Sequence, residues 1–258
     1  MIDKSFALNI NAIIKEVGAF IQNESKTFNT SKIQNKSSFD LVSYVDIESE
    51  KKLMTSLNNL LPEAGFIAEE TPINKREWNW IIDPLDGTTN FTRNLPAYAI
   101  SVALEHNNEI EFGAVYNIPT NELFYAIKNN GAFLNNTIIQ ASNNTLFANC
   151  LIATGFSVSK FDKTEKQLKV IEYIVKNSLG IRRMGAAAVD LCYTACGRFD
   201  AFFEWHLNPW DVAAGALIAK EANAVVTDFS NQNNWLFGQE ILAAQTNIHK
   251  QVLSIINQ

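Results

Sequence analysis

Near residue 150 this chain changes its rhythm, and that change constrains its fold more than any other feature. Ahead of it, short β-type runs follow one another across tight turns. Ala97–Glu105 and Glu111–Asn117 flank Asn107-Asn108, and Glu122–Ile127 and Ala132–Leu134 flank Asn129-Asn130-Gly131. Asn and Gly accept the left-handed backbone that hairpin turns need. Beyond residue 150, strand and helix patterns alternate: Cys150–Thr154, helix Thr164–Asn177, Ile181–Met184, helix Ala186–Cys196, Asp200–Glu204, helix Pro209–Ala222 and Ala224–Asp228. A last strand, Ile241–Ala244, precedes a terminal helix. Antiparallel pairing followed by alternation predicts layered α and β in two subdomains, residues 1–145 and 146–258.

Two helices come first. Asp3 is placed to cap one that carries Phe6, Ile10, Ile13, Ile14, Val17 and Ile21 on one face. A loop rich in Ser, Asn and Lys is expected from Asn23 to Ser38. A second helix is expected from Asp46 to Leu60, with Ile47, Leu53, Leu57 and Leu60 as its buried stripe and Pro62 and Gly65 ending it. Trp78–Ile82 reads as a buried strand.

Composition narrows the function. The 258 residues carry 21 Lys plus Arg against 27 Asp plus Glu, a net charge of −6. Without a basic run, non-specific nucleic-acid binding is disfavoured, since it depends on neutralising phosphates. The longest apolar stretch, Val212 to Ala219, is too short to span a bilayer. Met1-Ile2-Asp3-Lys4 does not open a signal peptide. The three cysteines, Cys150, Cys192 and Cys196, form no C-x-x-C pair and read as buried thiols. A reducing, cytoplasmic setting is therefore expected.

The chemistry concentrates in Trp80-Ile81-Ile82-Asp83-Pro84-Leu85-Asp86-Gly87-Thr88-Thr89-Asn90-Phe91. An apolar strand gives way to two carboxylates around a Pro, then to a Gly and to capping residues for a helical turn. Carboxylates suit a hard cation, and N–H groups at a helix start suit phosphate. Read alone, the segment is more readily a decorated turn, since Asp, Pro, Gly and Thr are all common turn residues. Phe66-Ile67-Ala68-Glu69-Glu70 ends another apolar run in paired acids; if the run stays extended, only one faces the site. Asn208-Pro209-Trp210-Asp211 starts a helix with Pro in its first turn, where an acid is also favoured by the helix dipole.

Together, Glu69-Glu70, Asp83-Pro84-Leu85-Asp86-Gly87-Thr88-Thr89-Asn90-Phe91 and Trp210-Asp211-Val212-Ala213-Ala214-Gly215 resemble the signatures of the inositol monophosphatase family, in its order and at its spacings. Asp40-Leu41-Val42-Ser43-Tyr44-Val45-Asp46 resembles its early element, and Gly185-Ala186-Ala187-Ala188-Val189-Asp190-Leu191 its late one. The resemblance covers nearly the whole chain. It implies the α/β/α/β/α sandwich of the sugar phosphatases and a Mg²⁺-dependent phosphomonoesterase acting on inositol monophosphate.

By that resemblance, Glu69 and Asp83 with the Leu85 carbonyl hold a first Mg²⁺, and Asp83, Asp86 and Asp211 hold a second. A third, weaker ion also uses Glu69. Thr88 and Asp46 orient and help deprotonate the attacking water. The Gly87 and Thr88 N–H groups bind phosphate, Gly185, Ala186, Glu204 and Asp211 contact substrate, and Glu70 stands behind the ligands. Ser43 and Ala186 depart from the family's usual Thr and Ser/Thr; at Ala186 only the backbone is left to bond substrate. A homodimer is also implied. Elementary electrostatics agrees with the cations: two carboxylates ~4 Å apart repel by roughly 4 kcal/mol at an effective dielectric of about 20.

Other residues carry less. His106, His206 and His249 have no metal spacing; His206 either borders the pocket or packs at the surface. Arg182-Arg183 reads as the solvated start of a strand, in a region some bacterial relatives use for partner or subunit contacts. Lys36 is a candidate mobile base near the early element, and Trp205 and Trp210 are expected in the core. Fructose-1,6-bisphosphate and 3′-phosphoadenosine phosphate are rival substrates; Thr89-Asn90 stands where the nucleotide branch typically has Lys-Glu. A binding role in transcription or ribosomal RNA assembly, known for some bacterial members, is the rival from another class.

Overall fold

The computed structural model describes residues 2–28, 33–35 and 41–258. Five layers stack as α/β/α/β/α. The outer layer pairs α1 (Lys4–Thr27) with α2 (Tyr44–Leu60). Below it lies a seven-stranded sheet in chain order: β3 (Gly65–Ala68), β4 (Trp78–Asp86), β5 (Ala99–His106), β6 (Glu109–Asn117), β7 (Glu122–Ile127), β8 (Ala132–Leu134) and β9 (Thr137–Ile139). β3 runs parallel to β4; every later neighbour is antiparallel. A small antiparallel pair, β1 (Ile33–Asn35) and β2 (Leu41–Ser43), precedes α2.

The central layer is α5 (Ala187–Ala195) and α6 (Pro209–Glu221). Beneath it a five-stranded sheet has the order β11 (Gly180–Arg182), β10 (Leu151–Thr154), β12 (Ala201–Trp205), β14 (Glu240–Ala244) and β13 (Val225–Thr227). α4 (Thr164–Asn177) and α7 (Thr246–Ile256) close the far side. One sheet thus draws on residues 65–139 and the other on residues 151–244.

Each layer follows from local chemistry. Asp3 caps α1 by accepting from Phe6 N–H at 2.8 Å, and Ile10, Ile14, Val17 and Ile21 are buried against the sheet. The hairpin turns at Asn107, Asn108, Asn129 and Gly131 all have positive φ, as their residue types demand. α6 has almost no polar face because both sheets cover it: Val212 to Ala219 are all buried. Its small residues let it sit close, so that a Cβ on Gly113 of β6 would meet the Ala214 backbone at 2.8 Å. No helix among the described residues is long and apolar enough to cross a membrane.

The structure differs from the sequence expectations in four places. α1 continues to Thr27 through Asn23 and Ser25, and Ile33–Asn35 forms β1, both within the span expected to be a loop; Lys36 and Asp40 lie outside the described residues. α2 starts at Tyr44, capped by Ser43. Its buried stripe is Val45, Asp46, Ser49, Glu50, Leu53 and Leu57, while Ile47 is 47% exposed. Leu53 and Leu57 are buried as expected, while hydrophobicity alone misses the rest of the stripe because two of its buried members are acids. β11 ends at Arg182, so Arg183 follows a strand instead of starting one. Finally, β4 does not stop at Ile82 but runs on to Asp86.

Candidate active site

The extra length of β4 is what assembles the site. Asp83 pairs with Ser101 and Asp86 with Ala99, so three steps on β4 answer two on β5. This is a one-residue bulge at Pro84-Leu85, where Pro has no N–H to give to the ladder. In a regular strand, residues three apart face opposite sides. The inserted residue brings Asp83 and Asp86 onto the same wall. The Asp83 Oδ1 accepts from Leu85 N–H at 2.9 Å, which holds the bulge.

Gly87 follows with φ +92, a left-handed turn, and caps the short helix α3 (Thr88–Thr92). Thr88 Oγ1 donates to Asp46 Oδ1 of α2 at 2.8 Å and also approaches the Leu85 carbonyl at 3.1 Å. Asp46 is itself fixed, since its Oδ2 accepts from Ser43 N–H at 2.8 Å and Ser43 Oγ at 2.6 Å. Asn90 Nδ2 bonds the carbonyls of Ala97 at 2.7 Å and Met184 at 2.8 Å, tying α3 to the chain ahead of α5.

The central helices deliver their N-termini to the same place. Asp86 Oδ2 accepts from Ala188 N–H at the start of α5 at 2.7 Å. Asp211, in the first turn of α6, accepts from Asn208 N–H at 2.6 Å within a capping box. Glu69 extends the β3–β4 ladder by one bond, Glu69 N–H to Ile82 O at 3.3 Å, which sets it beside Asp83.

These groups line one cavity of about 370 Å³, with Glu69, Asp83, Asp86, Thr88, Glu204 and Asp211 on its wall. That volume lies in the range of small-molecule pockets. Among the described residues, Arg183 is the only Lys or Arg on the wall. Gly185, φ +85, gives Arg183 room: a Cβ there would collide with the guanidinium. Glu204, at the end of β12, is buried and packs against Gly155.

Burial and like charge dominate the electrostatics. Burial pushes Asp83 well above the usual carboxylate range, and Glu69, Asp86 and Asp211 push it further. Burial raises Asp86 to about 7, with the Ala188 N–H opposing and Glu69 adding to the rise. Asp211 is driven well up by burial and then by Asp86. Glu204 rises to about 8 through burial, against the pull of Arg183. The buried Asp83 and Asp86, with the half-buried Glu69 and Asp211 beside them, are a donor set suited to hard divalent cations, which take carboxylate and carbonyl oxygens. As they stand, no group of three or more His, Cys, Asp or Glu among the described residues has the mutual geometry to hold a metal.

The family model for the inositol monophosphatase family matches residues 3–258. The chain belongs to the inositol monophosphatase family. Its relatives include a protein named putative Nus factor SuhB from Neisseria meningitidis serogroup B, 41% identical over 240 residues, covering 92% of this chain and 88% of that one. Another, named fructose-1,6-bisphosphatase/inositol-1-monophosphatase, from Thermotoga maritima, is 37% identical over 227 residues, covering 88% and 86%. Among solved structures, SuhB from Bartonella henselae superposes with a TM-score of 0.93 at 32% identity, covering 98% of each chain. The Thermotoga maritima inositol monophosphatase gives 0.90 at 33%, covering 99% and 97%. Members of the inositol monophosphatase family are phosphatases acting on phosphate monoesters and are generally metal-dependent.

Of the residues expected in the site, Glu69, Asp83, Leu85, Asp86, Gly87, Thr88, Gly185, Ala186, Glu204 and Asp211 all line the cavity. Asp46 reaches it through Thr88. Glu70 is half-buried and off the wall, its N–H held by Glu50. His206 and Trp210 border the cavity as well. The His206 ring is 3.0 Å from Asp162 Oδ1, while Trp205 is buried. Arg183, Asp190 and Glu50 were not anticipated. Asp190 is buried with Oδ1 unpartnered, and burial, Glu204 and Asp86 raise it well above the usual range. Its only sequence signal was its place inside the Gly185–Leu191 element.

Proposed function

We propose that this protein is a Mg²⁺-dependent phosphomonoesterase that hydrolyses myo-inositol monophosphate to inositol and phosphate. The observation that carries the reading is the meeting of Glu69, Asp83, Asp86 and Asp211 in one cavity beside the Thr88–Asp46 pair. Glu69, Asp83 and the Leu85 carbonyl would hold one ion, Asp83, Asp86 and Asp211 a second, and Glu69 would share in a third. Bound there, the ions would supply Lewis acidity to the phosphoryl group, an activated water, and charge to stabilise the leaving oxygen.

The chain's own groups do the rest. Asp46 accepts the Thr88 proton, which leaves a Thr88 lone pair aimed to receive a water proton and fix the water's orientation. Glu69 lies on the same side as a further acceptor. Gly87 and Thr88 N–H groups face the phosphate where α3 begins. Glu204 accepts hydrogen bonds from the alcohol's hydroxyls, beside the backbone of Gly185 and Ala186.

The test is a phosphate-release screen of the purified protein over inositol phosphates, fructose 1,6-bisphosphate and 3′-phosphoadenosine phosphate, with Mg²⁺ and after chelation. Inositol monophosphate should lead, and activity should vanish on chelation and return with Mg²⁺. Full activity in a metal-stripped sample would sink the mechanism. A second reading is favoured by the name Nus factor borne by a 41% identical relative: an assembly role in transcription or ribosomal RNA biogenesis. A catalytically dead Asp83→Asn chain that repairs the defect of a deletion strain would establish it. We further propose a cytoplasmic homodimer, which a monomer mass in micromolar light scattering would overturn.

A further inference from the structure

We propose that Glu50 is a positioning residue for Glu69, pinning the chain just after Glu69 so that its carboxylate is presented to the cavity as a metal ligand. The inference rests on the metal reading above.

Glu50 lies on the inner face of α2 and is 1% exposed. No Lys, Arg or His ion-pairs with it among the described residues. Its carboxylate instead closes on the turn after β3: Oε2 accepts from Glu70 N–H at 2.8 Å and Oε1 from Thr71 Oγ1 at 2.5 Å. On its other flank, Glu69 donates its N–H to Ile82 O of β4. Glu69 is therefore clamped between two elements, with β4 fixing where it starts and α2 fixing where it leaves.

Burying a carboxyl group without a cation is costly, and a well-packed apolar residue would fill this inner face of α2 at less expense. A carboxyl group kept in such a place is best accounted for by the hydrogen bonds it makes to the turn after β3. The spacing points the same way. Asp46 and Glu50 are four apart, one turn along a single face of α2, and Asp46 holds Thr88. One helix thereby sets the separation between the water-orienting hydroxyl and the Glu69 carboxylate. Partners that orient metal ligands commonly matter nearly as much as the ligands.

The experiment is a Mn²⁺ titration of the purified full chain by electron paramagnetic resonance, reading free Mn²⁺ without reference to turnover, on wild type, Glu69→Gln, Glu50→Gln and Thr71→Val. Gln can accept only one of the two hydrogen bonds, and Thr71→Val removes the hydroxyl bond at an exposed position, so folding is preserved even if Glu50→Gln is unstable. Glu50→Gln should weaken the tightest site about 10-fold, within the range for such partners, and Thr71→Val should weaken it by a smaller factor. Wild-type affinity in Thr71→Val and in folded Glu50→Gln, with Glu69→Gln impaired, overturns the role of Glu50 alone. Wild-type affinity in Glu69→Gln overturns the metal reading, and the positioning role falls with it.

Discussion

Thr88 Oγ1 stands 2.8 Å from Asp46 Oδ1, joining the first turn of α3 to the first turn of α2. Asp46 is buried, and burial raises its pKa against the pull of Ser43 and Thr88. The bond therefore fixes which way the Thr88 proton points. Thr88→Ala should lower kcat by about 100-fold, the low end of what a positioned acid–base group contributes. Circular dichroism and the unfolding midpoint should stay close to wild type. An unchanged kcat would remove Thr88 from the reaction.

Asp86→Asn and Asp211→Asn should each lower kcat by at least ~100-fold, equivalent to about 2.7 kcal/mol of lost transition-state stabilisation. Each removes a charge without changing shape. In the absence of metal, relief of mutual repulsion should make both variants at least as stable as wild type in thermal unfolding. A variant with wild-type kcat would place that residue outside the second ion's site.

How far the site could be read from sequence is itself informative. The four acids, Thr88 and Gly87 were legible because each sits in a compact motif where residue type and spacing speak together. The central layer was legible because Val212 to Ala219 is apolar on every side, as a helix between two sheets must be. Glu50 and Arg183 were not. Glu50 reads as one more charge on a helix of mixed character, and only its distance to Glu70 and Thr71 reveals it. Arg183 follows a short strand, and Gly185 provides the room its guanidinium occupies. The stripe of α2 was legible at Leu53 and Leu57 and not at Asp46 and Glu50, because patterning by hydrophobicity does not see buried acids.

His249 supplies a pH dependence remote from the cavity. It is buried on α7, 2.8 Å from Thr227 Oγ1, and burial lowers its pKa from 6.5 to about 4. The unfolded chain therefore binds a proton that the folded chain refuses between those values. Stability from this group is present above about pH 6.5 and is lost as pH falls toward 4, a loss on the order of 3 kcal/mol. Denaturant unfolding across pH 7 to 4 should show the decline, and His249→Gln should flatten it. Parallel curves for the two proteins would contradict the assignment.

Gly155→Ala should act on substrate choice. A Cβ there would collide with the Glu204 carboxylate, so Glu204 must leave its present position on the cavity wall. KM for inositol monophosphate should rise severalfold, with little change for p-nitrophenyl phosphate, which has no hydroxyls to bind. Equal effects on both substrates would place Glu204 outside alcohol recognition.

Lithium should inhibit at high Mg²⁺. It is close to Mg²⁺ in size with half the charge, and near Asp83, Asp86 and Asp211 it would retain phosphate without stabilising a leaving oxygen. Steady-state kinetics with and without lithium decide the point, and indifference to lithium would remove this account of the second ion while leaving the phosphatase reading intact.

The bulge at Pro84-Leu85 means that the site depends on a count as well as on identities. Asp83 and Asp86 share a wall because β4 spends one residue more than β5 between them. Exchange of a side chain leaves that parity untouched; loss or gain of a single codon in this stretch reverses it and turns one carboxylate to the opposite face. The length of the segment is therefore as binding as the identity of its two acids. A change of one residue in the length between the two acids would part them even with both aspartates retained.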